Sequence, residues 1–422
     1  MGLLTGGLSF RRFRTIQDPP EGFRDTFLEA VKRDAHQENL KHRSKDPVFG
    51  WVSVLDPADT DFELNKMLWD PYLVVSLRVD KKAVPAKLFS ILLDRRQKEV
   101  KEERGLERLG KNHKDEIKEA LEEELLSQAL PSVAVYDVAW HLNRAEVLLF
   151  ATSDSVVEYA QGLFHDTFQQ RLYPERLVDW LARIMPWEEI EERAQSYLPG
   201  GSAAGGMAHQ VDSEGWHEND PLAGRELLLG TEFLTWLWQQ SEESDGRFSL
   251  PEEEGQTAHS GAVTVREEEE EIDPRTGLPV EKAGASSTED ITLWFDNKLI
   301  FKDLEEERPG VTMMSGEAPS ATPEAKLTLV QGKRPVEARL GFARGDYSWF
   351  FTLKALPGGL ELSGLKIPAE VKEGDDEKIY ERMYLIEVAT SAVQRLFHRF
   401  YVERTTDGWG KGIEAWMNEE AE

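Results

Sequence analysis

The chain has 422 residues and no cysteine. That absence excludes disulfides, thiolate zinc sites, iron–sulfur clusters and cysteine nucleophiles, and it favours a reducing compartment. No apolar run approaches the roughly 18 residues of a membrane span. At the start of the chain, Arg11, Arg12 and Arg14 follow a very short apolar run, which is the reverse of a secretory signal. We therefore expect a soluble cytoplasmic protein with no membrane partner.

Catalytic motifs are also scarce. The sequence lacks the Gly-x-Ser-x-Gly elbow, the Walker-type phosphate loop and the His-Glu-x-x-His pair. Two tripeptides, Glu99 to Lys101 and Glu370 to Lys372, are similar to the Glu-x-Lys end of a metal-dependent nuclease site. Such tripeptides arise often by chance when 31% of residues are charged. We expect no catalytic residue, no metal and no cofactor, with a nuclease as the alternative.

A second set of polar residues could in principle bind a metal. It consists of His209, Asp212, Glu214, His217 and Asp220. These residues follow a Gly-rich stretch in which no scaffold would hold their geometry. A solvated linker is therefore the preferred interpretation.

The length allows two or three domains and a large core. Composition predicts an N-terminal α+β domain over 1–198, a Gly/Ser-rich linker over 199–224 and a C-terminal α+β domain over 225–422. Polar and acidic residues predict a disordered insertion over 244–288. Local hairpins alternate with long helices and there is no repeating βαβ unit, so the predicted fold class is α+β with antiparallel sheets.

Acidic residues dominate the chain, with 79 Asp and Glu against 50 Lys and Arg and a net charge of −29. Such a total normally argues against nucleic-acid partners. The charge is unevenly placed, however. The formal charges of residues 1–118 sum to +3, whereas residues 241–290 carry fifteen acids and four bases. The acidic segment predicts a solvated loop, and a decoy that competes with DNA for basic surface is the functional alternative.

The predicted helical segment 85–129 contains the strongest basic pattern, and Gly105 and Gly110 are expected to divide it. At 100° per residue, five of its cations lie within a third of a helix circumference. They are Arg104, Arg108, Lys111, Lys114 and Lys118, and Arg95 and Arg96 extend them toward the N-terminal side. A cationic stripe suits a phosphate backbone, which it binds without reading bases. Because acids are interleaved with these cations, an ordinary solvated helix is the competing interpretation.

Several segments together resemble a known family. The block KDEIKEALEEELLSQALPSVAVYDVAWHL (114–142) and GWV (50–52) are similar to the recombination-associated protein RdgC. ELLLGTEFLTWLW (226–238), QGKRPVEARL (331–340) and YERMYLIE (380–387) are similar to its longer relatives. The resemblance extends nearly from end to end and is densest over 50–165.

This resemblance implies a noncatalytic, nucleoid-associated protein that binds DNA without sequence preference. It implies a ring-forming homodimer whose positively lined hole encloses double-stranded DNA, and a restraint on RecA-promoted strand exchange. Single-stranded DNA is left open as a further ligand. The Leu130–Pro131 turn of the family is present, but its gate aromatic stands here as Ala134 and the basic residue after the proline as Ser132. A basic family position aligns with Glu107, next to Arg108.

The leading hypothesis is therefore a DNA-binding homodimer that modulates RecA-dependent recombination. The alternatives are a metal-dependent DNA exonuclease and an acidic interaction protein that binds no DNA.

Overall fold

The computed structural model describes residues 2–4, 6–38, 44–105, 107–198, 220–251, 288–304, 310–368 and 374–418. Contacts divide the chain into two compact units. One comprises Met1–Glu175 with Val371–Glu381, and the other Arg176–Glu370 with Arg382–Glu422.

The first unit is built on an antiparallel sheet with strand order β2-β4-β5-β6-β1-β7, and β3 pairs with β4. Its strands are β1 (Arg11–Arg14), β2 (Val48–Val52), β3 (Leu68–Trp69), β4 (Tyr72–Lys81), β5 (Ser132–His141), β6 (Glu146–Leu149) and β7 (Tyr173–Pro174). Its helices are α1 (Phe23–Arg33), α2 (Ala86–Glu103), α3 (Lys111–Gln128) and α4 (Asp154–Phe168). The longest pairing is between β4 and β5, the strands that flank α2 and α3 in the sequence.

Aromatic side chains fill the core between one face of this sheet and helices α1 and α4. Phe27 of α1 stacks on Trp140 of β5 at 5.5 Å between ring centroids, and Phe168 of α4 contacts both rings edge-on. The indole N–H of Trp51 donates to the Thr167 hydroxyl at 2.8 Å, which satisfies a polar atom in an otherwise apolar core. The apolar spacing of the two helices therefore packs them onto a single face of the sheet.

The N-terminal segment contributes further buried side chains to this unit. Leu3, Leu8 and Phe10 are almost fully buried, and the Phe10 ring contacts Phe150 at 5.6 Å. Asp137 of β5 is buried beside this segment and accepts hydrogen bonds from the Leu3 backbone N–H and the Ser76 hydroxyl. Burial is the main influence on this carboxyl group and raises its pKa.

The second unit contains the other six strands, in the order β10-β9-β11-β12-β13, and β8 also pairs with β9. Its strands are β8 (Arg247–Pro251), β9 (Thr288–Lys302), β10 (Val311–Ser315), β11 (Arg334–Arg344), β12 (Tyr347–Leu356) and β13 (Gly359–Lys366). The remaining helices are α5 (Leu177–Ala182), α6 (Trp187–Tyr197), α7 (Glu226–Glu243), α8 (Pro323–Val330), α9 (Asp375–Arg404) and α10 (Trp409–Asn418).

Helix α7 covers one face of this second sheet. Trp236 contacts Phe248 at 5.9 Å, and Trp238 contacts Phe295 and Phe301 at 6.3 and 6.2 Å. These five aromatic residues are buried. The alternation of large apolar residues along β8 and β9 thus directs one side of each strand toward α7.

The prediction of an α+β fold with antiparallel sheets is confirmed. The division between the units falls at residue 175 and not at the predicted 198. The reason is that α5 and α6 pack with elements of the second unit, since the Tyr401 hydroxyl donates to the Ile190 carbonyl at 2.8 Å. Of the predicted linker, 199–219 lies outside the described residues, whereas 220–224 forms a turn in which Leu222 is fully buried.

The prediction of a disordered insertion over 244–288 was wrong at both of its ends, which the structure describes as strands. Residues 247–251 form β8, because Phe248 and Leu250 alternate with polar residues and are buried, and Thr288 begins β9. The central part, 252–287, lies outside the described residues. Among the helices that the structure describes, none is both long and apolar enough to cross a lipid bilayer.

Candidate nucleic-acid interface

The predicted basic segment forms a pair of helices, α2 and α3, joined by a turn that includes Arg104 and Arg108. Gly105, with φ of +60°, ends α2 in the left-handed conformation that favours glycine, and α3 begins after Gly110. The predicted stripe is therefore not carried by one continuous helix. Arg104 is the C-terminal cap of α2, Arg108 lies in the turn, and only Lys111, Lys114 and Lys118 follow the helical geometry of α3.

All seven predicted DNA-binding side chains are exposed to solvent. Lys111, Lys114 and Lys118 are spaced three and four residues apart and share one face of α3. Arg95 and Arg96 lie on α2, about 12 Å from its C-terminal end at 1.5 Å per residue. The structure therefore places five of the cations, Arg104 to Lys118, near the turn or on α3, and two farther along α2.

Glu99 interacts with the two cations of α2. Its carboxylate accepts from the Arg95 guanidinium at 3.1 Å and lies 3.6 Å from Arg96. The Arg95 and Arg96 side chains remain 76% and 61% exposed. Exposed ion pairs of this kind contribute at most about 1 kcal/mol, so a phosphate can displace the carboxylate at small cost. Glu99 and Lys101, the residues of the nuclease alternative, both lie on helix α2.

Charge along α2, the turn and α3 changes sign with position. From 101 to 114, around the turn, there are five bases and three acids, whereas 119–128 holds four acids and no base. We call residues 101–114 the hairpin tip. Positive charge is thus concentrated at the tip of the helix pair and negative charge at the far end of α3.

The first turn of α3 adds to the positive potential of the tip. Its four leading backbone N–H groups carry the positive end of the helix dipole, which acidic side chains normally offset. The first turn of α3 has no acid and instead has Lys111 and Lys114. An anion such as a phosphate group would therefore be bound favourably here.

The opposite end of the pair is joined to the sheet. The buried Lys82 ammonium, which follows β4, donates to the Leu126 carbonyl in the last turn of α3 at 3.0 Å. A cation at this position also complements the negative end of the helix dipole. Lys45, which precedes β2, forms an ion pair with Glu122 of α3. Neither contact follows from sequence spacing, because both join residues that are distant in the chain.

Apolar side chains on this pair are unusually accessible. Helix α2 has no buried residue, and Leu88 and Ile91, one turn apart, are 47% and 58% exposed. Leu130, in the turn between α3 and β5, is 83% exposed. Exposed apolar side chains of this size are of the kind that a protein partner covers.

The second Glu-x-Lys tripeptide and the candidate metal-binding residues are the other predicted sites. Glu370 to Lys372 and the residues His209 to His217 lie outside the described residues. Asp220 is buried and pairs with Arg176 at 2.9 Å, which accounts for this carboxylate without a metal. Within the described ranges, no three His, Asp or Glu side chains are grouped as metal ligands.

Residues 25–178 match the family model described as "Putative exonuclease, RdgC". The chain carries an RdgC-family domain. No curated protein matches the chain. The RdgC-family match covers α2, the tip and α3, and therefore all seven candidate cations.

Within the RdgC-family domain, the Leu130–Pro131 turn leads directly into β5. Ser132 is the first residue of that strand and pairs with Lys81, and Ala134 pairs with Val79. Neither side chain offers an aromatic ring or a charge. The exposed Leu130 is the large apolar side chain that remains at this turn.

Proposed function

We propose that this protein binds DNA through its phosphate backbone, without sequence preference, using the tip of the α2–α3 pair. The observation that carries the proposal is the local charge: five exposed cations and an uncompensated helix N-terminus meet at the tip, although the whole chain carries −29. Cations that contact phosphates release counterions, so affinity would fall steeply with salt. The acids elsewhere on the chain would repel DNA and restrict binding to this surface.

Fluorescence anisotropy with labelled duplexes of unrelated sequence tests this proposal. We expect similar dissociation constants for all sequences and a slope of log K against log [salt] of roughly −0.9 per neutralised phosphate. A strong preference for one sequence, or a slope near zero, would contradict backbone binding. Absence of any retardation in a gel shift at low salt would favour the acidic interaction protein that binds no DNA.

We further propose a homodimer whose subunits meet through the exposed apolar residues Leu88, Ile91 and Leu130. Two copies joined in this way would present two tips to one duplex and could close around it as a ring. Bound along DNA in the nucleoid, such a dimer would limit the access of RecA to its substrate. The test is RecA-promoted strand exchange with this protein added before or after RecA. Inhibition that disappears with the DNA-binding variants described below supports occlusion of DNA.

Our proposal includes no catalytic activity, and an exonuclease is the second candidate, favoured by the description of the family model. Incubation of the protein with end-labelled DNA and magnesium or manganese separates the two. Degradation that is lost in Glu99→Ala or Glu370→Ala would establish the nuclease. Intact DNA under conditions in which the protein binds it supports a noncatalytic role.

A further inference from the structure

The sheet of the second unit has two contrasting faces. Side chains that point toward α7, such as Phe295, Leu340 and Phe351, are buried. On the opposite face, which we call the open face, every described side chain of β9 and β11–β13 is at least partly exposed. Gly341, in the middle of β11, is buried on this face. Helix α7 packs on the other side, where the Trp349 indole N–H also donates to the Leu385 carbonyl of α9 at 2.9 Å.

Two aromatic residues form a corner at the centre of the open face. Trp294 of β9, Gly341 of β11 and Phe350 of β12 are direct cross-strand neighbours and form one row. A Cβ atom at Gly341 would lie 2.3 Å from Cε2 of Trp294, 2.4 Å from Cζ2 and 2.6 Å from Nε1. Cε2 is bonded to both of the other atoms, so the glycine lies against the plane of the indole and not its edge.

Trp294 therefore lies flat on the sheet, with its second ring face directed away from it. Phe350 stands beside it at 5.7 Å between centroids and an interplanar angle of 83°. The result is a flat aromatic platform with an upright aromatic wall. A planar ring of a ligand would stack on the indole and contact Phe350 at its edge.

Charged groups around this corner favour an anionic ligand. The cross-strand registers, together with the contact between Asp296 and Arg339, place seven cations and four acids on the open face. The cations are Arg247, Lys298, Lys302, Arg334, Arg339, Lys354 and Lys366; the acids are Asp290, Asp296, Glu337 and Glu361. This excess of three cations is found in a chain with a net charge of −29.

Two of these cations are next to the aromatic corner. Lys366 is the cross-strand neighbour of Phe350, and Arg339 occupies the next row, where its guanidinium donates to the Gly364 carbonyl at 2.9 Å. The Thr352 hydroxyl lies 3.5 Å from the same guanidinium. These contacts hold Arg339 in place and leave its nearest carboxylate, Asp296, at 3.9 Å.

We propose that the open face is a binding platform for single-stranded DNA, in which a base stacks on Trp294 against Phe350 and Arg339 or Lys366 contacts the adjacent phosphate. Stacking suits single strands because bases in a duplex already stack on each other, and it is tolerant of sequence because every base has a π-face. This inference deepens the proposed DNA-binding function and rests on it. It assigns single strands to the second unit and duplex contacts to the α2–α3 tip.

The test measures anisotropy with oligo(dT) of about 20 nucleotides and, in parallel, with a duplex. Trp294→Ala is expected to weaken oligo(dT) binding by about 5- to 150-fold, the range for loss of one base–aromatic stack, and to leave duplex binding unchanged. Trp294→Phe should retain most of the affinity. Tyr347→Ala, which removes a 50%-exposed ring from the same sheet outside the corner, is the matched control and should have no effect.

Gly341→Ala provides a second variant that keeps both aromatic rings. Its methyl group would displace the indole from the sheet, so oligo(dT) binding should weaken although no binding group has been removed. Photo-crosslinking of a bromodeoxyuridine oligonucleotide to the unmodified protein adds a test that no folding defect can affect. We expect adducts on Trp294 or Phe350.

Unchanged oligo(dT) affinity in Trp294→Ala, or adducts confined to residues 86–128, would overturn this inference and leave the duplex proposal intact. Failure of the unmodified protein to bind both DNA forms would instead contradict the proposed function itself.

Discussion

Reversing the charge of the hairpin tip provides the sharpest test of the DNA interface. The triple variant Arg104→Glu, Arg108→Glu and Lys111→Glu replaces three exposed cations that make no contact with the core. If each contacts one phosphate, the slope of log K against log [salt] should become less steep by about 2.7, at roughly 0.9 per contact. The affinity ratio between unmodified protein and variant should then shrink by about 40-fold between about 50 and 200 mM salt.

A matched control at the same tip removes negative charge instead of positive charge. Glu102→Gln, Glu103→Gln and Glu107→Gln remove three acids from among these cations. This variant should bind duplexes more tightly because less repulsion acts within a Debye length of about 10 Å. Its salt slope should stay unchanged, since the number of phosphate contacts is the same.

The assay is fluorescence anisotropy on two duplexes of unrelated sequence across a salt series, with thermal melts to establish that each variant folds. Equal affinity and equal slope for the reversal variant and the unmodified protein would refute the tip as the interface. A loss confined to one of the two duplexes would refute binding through the phosphate backbone.

Three further predictions concern the first unit. Trp51→Phe removes the hydrogen bond to Thr167 and part of a fully buried ring, and should lower the free energy of unfolding by about 2–4 kcal/mol in urea titrations; no change in midpoint would contradict the packing described. Burial raises the pKa of Asp137, so the contribution of this carboxyl group to stability is full below pH about 4 and is lost as the pH rises through the raised pKa. The Asp137→Asn variant should therefore gain stability relative to the unmodified protein as the pH increases from 4 to 8. A constant difference across that range would count against a raised pKa. Leu88→Ser with Ile91→Ser should shift the protein toward monomer in analytical ultracentrifugation, and an unchanged mass would place the dimer contact elsewhere.

Several elements follow from local sequence alone. The sequence pattern predicts a short helix over 323–330, and α8 has the same bounds in the structure. Alternating apolar and polar residues over 132–143 and 145–151 predict a hairpin, and β5 and β6 form it. In these segments the apolar period, the turn residues and the final packing all agree.

Other elements depend on partners that are distant in the chain. Helix α6 has few apolar residues, with Ile190 and Ala194 its buried ones, so its pattern is weak. Strand β8 borders an acidic stretch and is defined by pairing with β9, about 40 residues later. Strand β10 exposes alternate residues, including Met313, and offers little apolar signal.

The candidate DNA site was predictable in composition but not in geometry. The two glycines indicated where the helix would end, and Gly105 does end α2. The angular placement of Arg104 and Arg108 assumed a continuous helix, however, and the turn removes both from the face of α3. The aromatic corner of Trp294 and Phe350 was not found, because cross-strand register brings together residues 56 positions apart.

The contact between Leu3 and Asp137 has a consequence for how the first unit is assembled. The two residues are separated by 134 positions, yet each is buried against the other. During synthesis, Leu3 leaves the ribosome before Asp137 and remains without its native environment until β5 and β6 have followed. Long-range contacts of this kind slow folding because a large loop must close before they form. Leu3, Leu8 and Phe10, which are buried in the folded unit, are thus accessible to chaperones and proteases while the residues up to β5 and β6 are being synthesised.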